Sequence, residues 1–342
     1  TMARILLTYP AGEREQRYGD ALDGLRALGE VVLNPSPRTM TADAIAEAAA
    51  GCIAIVSDRN TPFGADLVAR LPSALALVRA AMDVRNIDIG AASRAGILVT
   101  RAGPGFRDAV VELLLGQMVD LARGLSEGVM AYRRGEVPER RPGIQLAGRT
   151  AGILGYGNLG RRLAEVLSVL GMRVLVHDPH VPAVAPPAIA ASRDEVIAEA
   201  DFLVCLVVHD ASTDQSMDLG VFRRMKRSAF FLNPSRGRVV DEAALGRALR
   251  EGLIAGAGLD VGSDPDDVPP VALGRLPGVV ASAHVGGMVP EALASQARDT
   301  VDQVADLLAG RMPRHALNPE AARRLASVAA GRGRGQPEGG GT

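Results

Sequence analysis

The sequence predicts an α/β protein built of two doubly wound parallel-sheet lobes, and three observations predict it. Short runs rich in Val, Ile and Leu alternate with longer Ala/Leu/Arg stretches of helical period, the pattern of parallel strands joined by crossover helices. The alternation runs through twice, in a chain whose 342 residues match about two domains of roughly 150 residues each. Helical period then returns over 290–308, where a helix crossing back would make the first lobe discontinuous in sequence.

In the first pass the expected strands are 4–7, 31–33, 53–57, 75–78 and 97–100, with helices between them such as 41–50. The stretch 108–123 carries apolar residues at helical spacing and no Gly/Pro pair, so it reads as one helix linking the lobes. Residues 124–148 are rich in Arg, Gly and Pro without a clear period and read as an arm. The second pass predicts strands at 150–154, 173–177, 202–208, 229–232, 254–259 and 279–282. The Gly-rich tail from Gly331 has nothing to bury and is expected to be disordered.

Charge narrows the function classes. Thirty-eight basic and 39 acidic side chains leave a formal charge of −1, which provides no general field for nucleic acid or an anionic membrane. Arg133-Arg134 and Arg140-Arg141 lack interleaved aromatics and suit a solvated or subunit-contact arm better than a nucleic-acid surface. Cys52 and Cys205 each lie in an apolar run, as core thiols of a reducing compartment do. The longest apolar stretch, 202–208, is far below the ~18 residues that span a bilayer, and the amino terminus lacks a signal-peptide core. A cytoplasmic protein is expected.

The sharpest local signal is Gly155-Tyr156-Gly157-Asn158-Leu159-Gly160, directly after the expected strand 150–154 and opening a helical run. The first glycine permits a tight turn, the second lets backbone approach a pyrophosphate, and the third lets helix and strand pack closely. Asp178 stands 23 residues after Gly155, at the end of the next strand, where a carboxylate would accept from an adenine-ribose diol and repel a 2′-phosphate. The expected cofactor is therefore NAD rather than NADP. The plainer alternative is a glycine turn followed by a capping aspartate.

Unusual polar residues stand at three further strand ends, where doubly wound sheets bind ligands. Arg236 follows strand 229–232, Asp260 closes 254–259, and His284 follows 279–282 and precedes Gly286-Gly287. A cation for a carboxylate, an acid and a histidine able to move a proton near neutral pH form a coherent set beside a nicotinamide. Each alone is equally a surface or capping residue. His177, His180, His209 and His315 lack ligand spacing, and no metal site is expected.

With Asn233-Pro234-Ser235-Arg236-Gly237-Arg238-Val239-Val240-Asp241-Glu242, Gly256-Ala257-Gly258-Leu259-Asp260-Val261 and His284-Val285-Gly286-Gly287 on the page, the chain resembles the D-isomer-specific 2-hydroxyacid dehydrogenase family, the phosphoglycerate dehydrogenase-like group. Asn86-Ile87-Asp88 and Ala95-Gly96-Ile97-Leu98-Val99 are similar to that family's segment behind its substrate loop. The resemblance implies a Rossmann NAD-binding domain over 106–285 inserted into a flavodoxin-like catalytic domain over 1–105 and 286–325; the tail expected from composition to be disordered then takes 326–342. It also implies a homodimer acting on a small 2-oxo or 2-hydroxy acid. By the same resemblance Arg236 binds the substrate carboxylate and carbonyl, and His284 is the acid in reduction and the base in oxidation. Asp260 lies near the nicotinamide amide, and Val207, Pro234, Ser235 and Gly286 join the glycine turn as cofactor contacts.

The sequence departs from the family in two places. The glutamate that keeps the histidine protonated is missing, and its spacing falls among Asp264, Pro265 and Asp266; Asp266 is the favoured partner, with Asp264 or a mere Pro-rich turn as alternatives. The Gly-x-Gly whose amides hold the substrate carboxylate is replaced by Ala80-Ala81-Met82-Asp83-Val84-Arg85. The amides of Ala81 and Met82 are still expected to serve. Asp83 and Phe106 argue against phosphoglycerate and formate and for an uncharged or cation-bearing substrate side chain, unless Asp83 faces solvent or pairs with Arg79 or Arg85. The leading expectation is an NAD-dependent D-2-hydroxyacid dehydrogenase; the competing one is an NAD(H)-responsive, corepressor-like binding protein on the same fold.

Overall fold

The computed structural model describes residues 2–263 and 267–327. The chain folds into two compact units: unit 1 runs to Gly105 and resumes at Pro290, and unit 2 spans Phe106–Val289.

Unit 1 is a five-stranded sheet in the order β2-β1-β3-β4-β5, formed by β1 (Arg4–Leu7), β2 (Glu30–Leu33), β3 (Cys52–Ser57), β4 (Ala76–Arg79) and β5 (Leu98–Arg101). Every pairing is parallel, for example Ile5 with Val31 and Leu77 with Val99. Such a sheet is covered on both faces, so its strands are apolar throughout. Ile5, Leu7, Val56 and Val78 meet Tyr18, Leu25, Val304 and Leu307 on one side. On the other, Leu6, Ile55, Leu77 and Val99 meet Ile45, Leu67 and Ala92. The returning helix Pro290–Leu308 belongs to unit 1, where the Tyr18 hydroxyl and Thr300 Oγ1 lie 2.7 Å apart.

Unit 2 is a seven-stranded parallel sheet in the order β12-β11-β10-β9-β6-β7-β8. Its strands are β6 (Thr150–Leu154), β7 (Arg173–His177), β8 (Ile189–Ala190), β9 (Phe202–Cys205), β10 (Phe230–Asn233), β11 (Gly256–Leu259) and β12 (Val279–Ala281). The order reverses at β6/β9 in unit 2 and at β1/β3 in unit 1, the switch points where doubly wound sheets open a crevice. Capping aspartates start several helices; Asp88 accepts from Ala91 N and Asp241 from Ala244 N.

Three expectations need correction. The arm expected over 124–148 begins with a helix, Leu125–Arg133, separated from Arg107–Arg123 by Gly124 in the left-handed region (φ +65°). Its large apolar residues face solvent and only Ala131 is buried, so no buried stripe announces it. The strand expected over 202–208 stops at Cys205, because β6 ends at Leu154 and β10 pairs no further than Val204. The two-residue β8 is too short for periodicity to reveal. The tail expected to be disordered lies outside the described residues from 328 onward, while 323–327 are helical and Ala326 N donates to Ala322 O.

Candidate active site

The carboxyl edge of unit 2 is built from glycine upward. Gly155, just past β6, has φ +98°, and a Cβ there would come within 2.6 Å of Leu206 O. A Cβ on Gly160 would overlap Gly155 O, so the helix Asn158–Val169 packs tightly on the turn. Gly157 differs: nothing lies within 4 Å of a Cβ added there, and it begins the helix with no side-chain cap. The protein itself does not require glycine at 157, and the space there together with uncapped amides at the helix start suits a diphosphate. Beside this turn, Asp178 Oδ2 accepts from Tyr156 N at 2.7 Å and Oδ1 from His180 N at 2.9 Å, which fixes the carboxylate at the end of β7. Helix start, open glycine and fixed carboxylate together fit a dinucleotide.

The ends of β10 and β11 place the Arg236 turn and the Asp260 carboxylate. Buried Asn233 ends β10; its Oδ1 accepts from Ser235 N and Ser235 Oγ, and its Nδ2 donates to Arg236 O at 3.0 Å. This knot shapes the turn Pro234-Ser235-Arg236 and leaves Arg236 exposed, with Nη1 on Ser235 O. A Cβ on Gly237 would overlap the backbone of Gly262, so the loops after β10 and β11 are pressed together. Val207 follows β9 and packs partly buried on the core. Burial pushes the Cys205 thiol up to about 11, which leaves it inert.

Asp260, 2 % exposed, closes β11 and turns its carboxylate into the His284 loop. Oδ1 accepts from Ser282 Oγ (2.6 Å) and Val285 N (2.9 Å), Oδ2 accepts from Gly286 N (2.9 Å), and the Asp260 carbonyl accepts from His284 N (2.8 Å). These bonds hold His284 at φ +53°, a conformation that costs a non-glycine residue roughly 1 kcal/mol or more. Unit 2 thus brings Gly155–Gly160, Asp178, Val207, Pro234–Arg236, Asp260, His284 and Gly286 to the carboxyl edge of one sheet. Asp264 and Asp266 lie outside the described residues.

In unit 1, Ala81 and Met82 follow β4, and neither amide donates to any described residue. Asp83 accepts from Arg85 N and Arg85 Nε, with an ion pair at 2.7 Å, so it pairs with Arg85 inside its own turn.

Comparison with known proteins agrees with this geometry. Residues 115–286 match the D-isomer specific 2-hydroxyacid dehydrogenase, NAD binding domain. The chain belongs to the D-isomer specific 2-hydroxyacid dehydrogenase family. Within it, the chain is 31% identical over 283 residues to glycerate dehydrogenase of Methylorubrum extorquens, covering 80% of this chain and 88% of that protein. It is 29% identical over 324 residues to D-3-phosphoglycerate dehydrogenase of Methanocaldococcus jannaschii, covering 93% and 60%. The chain spans only 46% to 60% of the length of the phosphoglycerate dehydrogenases it matches first. Among solved structures, a Thermus thermophilus protein superposes with TM-score 0.79 at 29% identity, covering 92% and 99%. D-lactate dehydrogenase with NAD+ from Lactobacillus jensenii superposes with TM-score 0.80 at 21% identity, covering 92% and 99%, a likeness of fold.

For this family member, sequence reasoning passed over Asn233 and Ser282, which shape the Arg236 and His284 turns. Asn-Pro-Ser after an apolar run is a side-chain turn signal that marks the first; nothing local marks the second.

Proposed function

We propose that this protein interconverts a 2-oxo acid and a D-2-hydroxy acid with NAD(H), and that Arg236 and His284 carry the reaction. The observation behind this reading is the His284 loop, held in a strained turn by buried Asp260 on the sheet edge that also presents the open glycine turn and Arg236. Bound nicotinamide would supply or accept the hydride. The guanidinium of Arg236 pairs with the substrate carboxylate through two parallel hydrogen bonds and polarises the carbonyl. Protonated His284 delivers its proton to the carbonyl oxygen during reduction, and neutral His284 takes it back during oxidation. Asp266 is proposed as the carboxylate that stabilises the imidazolium. Ala81 and Met82, whose amides donate to no described residue, are proposed as further substrate contacts, and Asp178 is proposed to select NAD over NADP.

The helix Leu125–Arg133 supports a homodimer, because Leu125, Val129 and Tyr132 form one apolar face, from 48% exposed at Val129 to 66% at Tyr132. Among the described residues no helix is long and apolar enough to cross a membrane. Buried free thiols at Cys52 and Cys205 fit a cytoplasmic location. Oxidation of NADH, followed by its absorbance across a panel of 2-oxo acids, tests the activity. Turnover that disappears in His284→Ala is expected; a fully active His284→Ala would overturn the mechanism and favour the NAD(H)-responsive binding protein.

A further inference from the structure

Within unit 2, helix Arg107–Arg123 packs on β11 and β12, the strands whose ends carry Asp260 and His284. Its buried side chains are apolar with one exception, Gln117, which is 4% exposed. Gln117 Nε2 donates to Leu259 O and to Ser282 Oγ, each at 3.3 Å, and ties the end of β11 to the residue after β12. Strand β11 makes room for it, since a Cβ added at Gly258 would stand 2.9 Å from Gln117 Oε1. That oxygen is buried and hydrogen-bonds to no described residue. An unpaired buried acceptor costs stability, a cost that an apolar side chain of the same length would avoid. What the glutamine adds is its two N–H groups. Ser282 Oγ has one proton to give, and two acceptors lie in reach, Asp260 Oδ1 at 2.6 Å and Leu259 O at 3.4 Å. Leu259 O already accepts from Ser282 N at 2.8 Å, and Gln117 takes up its other lone pair. The second N–H of Gln117 occupies a lone pair of Ser282 Oγ, so the serine proton turns away from it, toward Asp260. The same helix backs the loop further on, where Val110 and Leu113 stand 3.3 Å from the place of a Cβ on Gly286.

We infer that Gln117 is a positioning residue for His284: it directs the Ser282 hydroxyl onto Asp260, and the network Gln117–Ser282–Asp260 sets the turn from which His284 acts. The inference rests on the role proposed for His284 above. Asp260 Oδ1 is shared between Ser282 Oγ and Val285 N, and Oδ2 holds Gly286 N, so the direction of one serine proton bears on both amides that follow His284. Without the donors of Gln117, that proton can swing to Leu259 O. Asp260 then loses its shortest hydrogen bond and the turn loosens. A reacting group misplaced by about 1 Å loses roughly 10²-fold in rate, so a partial loosening should cost about tenfold.

The test uses the full chain with Gln117→Met, which keeps the side-chain length and removes both donors, alongside Ser282→Ala, Ser282→Thr and the double variant Gln117→Met/Ser282→Ala. Reduction is followed with NADH and glyoxylate, pyruvate, 3-hydroxypyruvate or oxaloacetate. Gln117→Met should lower kcat by about tenfold, leave NADH affinity unchanged in a fluorescence titration, and melt no lower than the parent because the unpaired acceptor is gone. A melting temperature that falls while kcat holds marks a merely structural glutamine and overturns the inference. Ser282→Ala should lose as much turnover, Ser282→Thr should recover most of it, and the double variant should be no worse than Ser282→Ala alone, because the two residues act in series. An unchanged kcat in Gln117→Met, or losses that multiply in the double variant, would overturn the network while leaving the dehydrogenase intact. Hydrogen exchange at the Val285 and Gly286 amides reads the same network without turnover, and it should quicken in Gln117→Met. If the full chain reduces none of the four acids, the reading of the reaction fails by itself; unchanged exchange at those amides overturns the network, and faster exchange upholds it.

Discussion

At the scale of single residues, Arg236 and His284 are held by backbone turns that other side chains dictate. Arg236 is aimed by the Asn233 knot, so what matters at 236 is the planar fork of the guanidinium. Arg236→Lys keeps the charge but cannot form two parallel bonds to a carboxylate. Turnover should fall by about 10²-fold or more while NADH still binds in a fluorescence titration; near-normal turnover would remove the carboxylate clamp. In the proposed mechanism His284 must be protonated to drive reduction, and a carboxylate beside it would raise its pKa. Loss of that carboxylate therefore lowers the pKa and pulls the alkaline limb of the reductive pH-rate profile to lower pH. Asp266→Asn should produce this shift and Asp264→Asn should not. The reverse ranking assigns the role to Asp264, and two unshifted profiles leave His284 without either partner.

At the scale of elements, the glycine turn separates two demands that a motif merges. Gly160 is required by packing, since a Cβ would overlap Gly155 O; at Gly157 a Cβ would meet no other atom of the protein, which leaves a bound cofactor as the proposed reason for glycine. Gly160→Ala should lower the melting temperature by several degrees, whereas Gly157→Ala should melt like the parent and lose NADH affinity by tenfold or more. A Gly157→Ala variant that binds NADH normally would remove the ligand from this turn. The strands around it were legible because a parallel sheet buried on both faces must be apolar along its length, as Thr150–Leu154 and Phe202–Cys205 are. Helix Leu125–Arg133 was not, because its apolar side chains have no core to face. The Gln117, Ser282 and Asp260 network left no local pattern either. Gln117 and Ser282 meet across 165 residues of chain, and only the fold brings them together.

At the scale of the whole molecule, the sequence showed that helical period returns after the second sheet, and the structure assigns that helix to unit 1 through Tyr18, Thr300, Val304 and Leu307. What sequence could not show is that one helix leaves an apolar face exposed. Leu125, Val129 and Tyr132 recur at helical spacing, yet they lie outside every core cluster and are about half exposed or more. Burying an apolar side chain is worth roughly 1.5–3 kcal/mol, so leaving three exposed on one face forgoes more than most single contacts supply. A second copy of the chain supplying the same face would recover it by two-fold symmetry. The protein should then sediment as a dimer. Val129→Glu with Tyr132→Glu places two carboxylates against their symmetry mates and should shift it to a monomer with unchanged far-ultraviolet circular dichroism. The exposed position of this helix keeps that substitution from disturbing either sheet, so a monomeric parent, or a dimer indifferent to both glutamates, would place the assembly surface elsewhere.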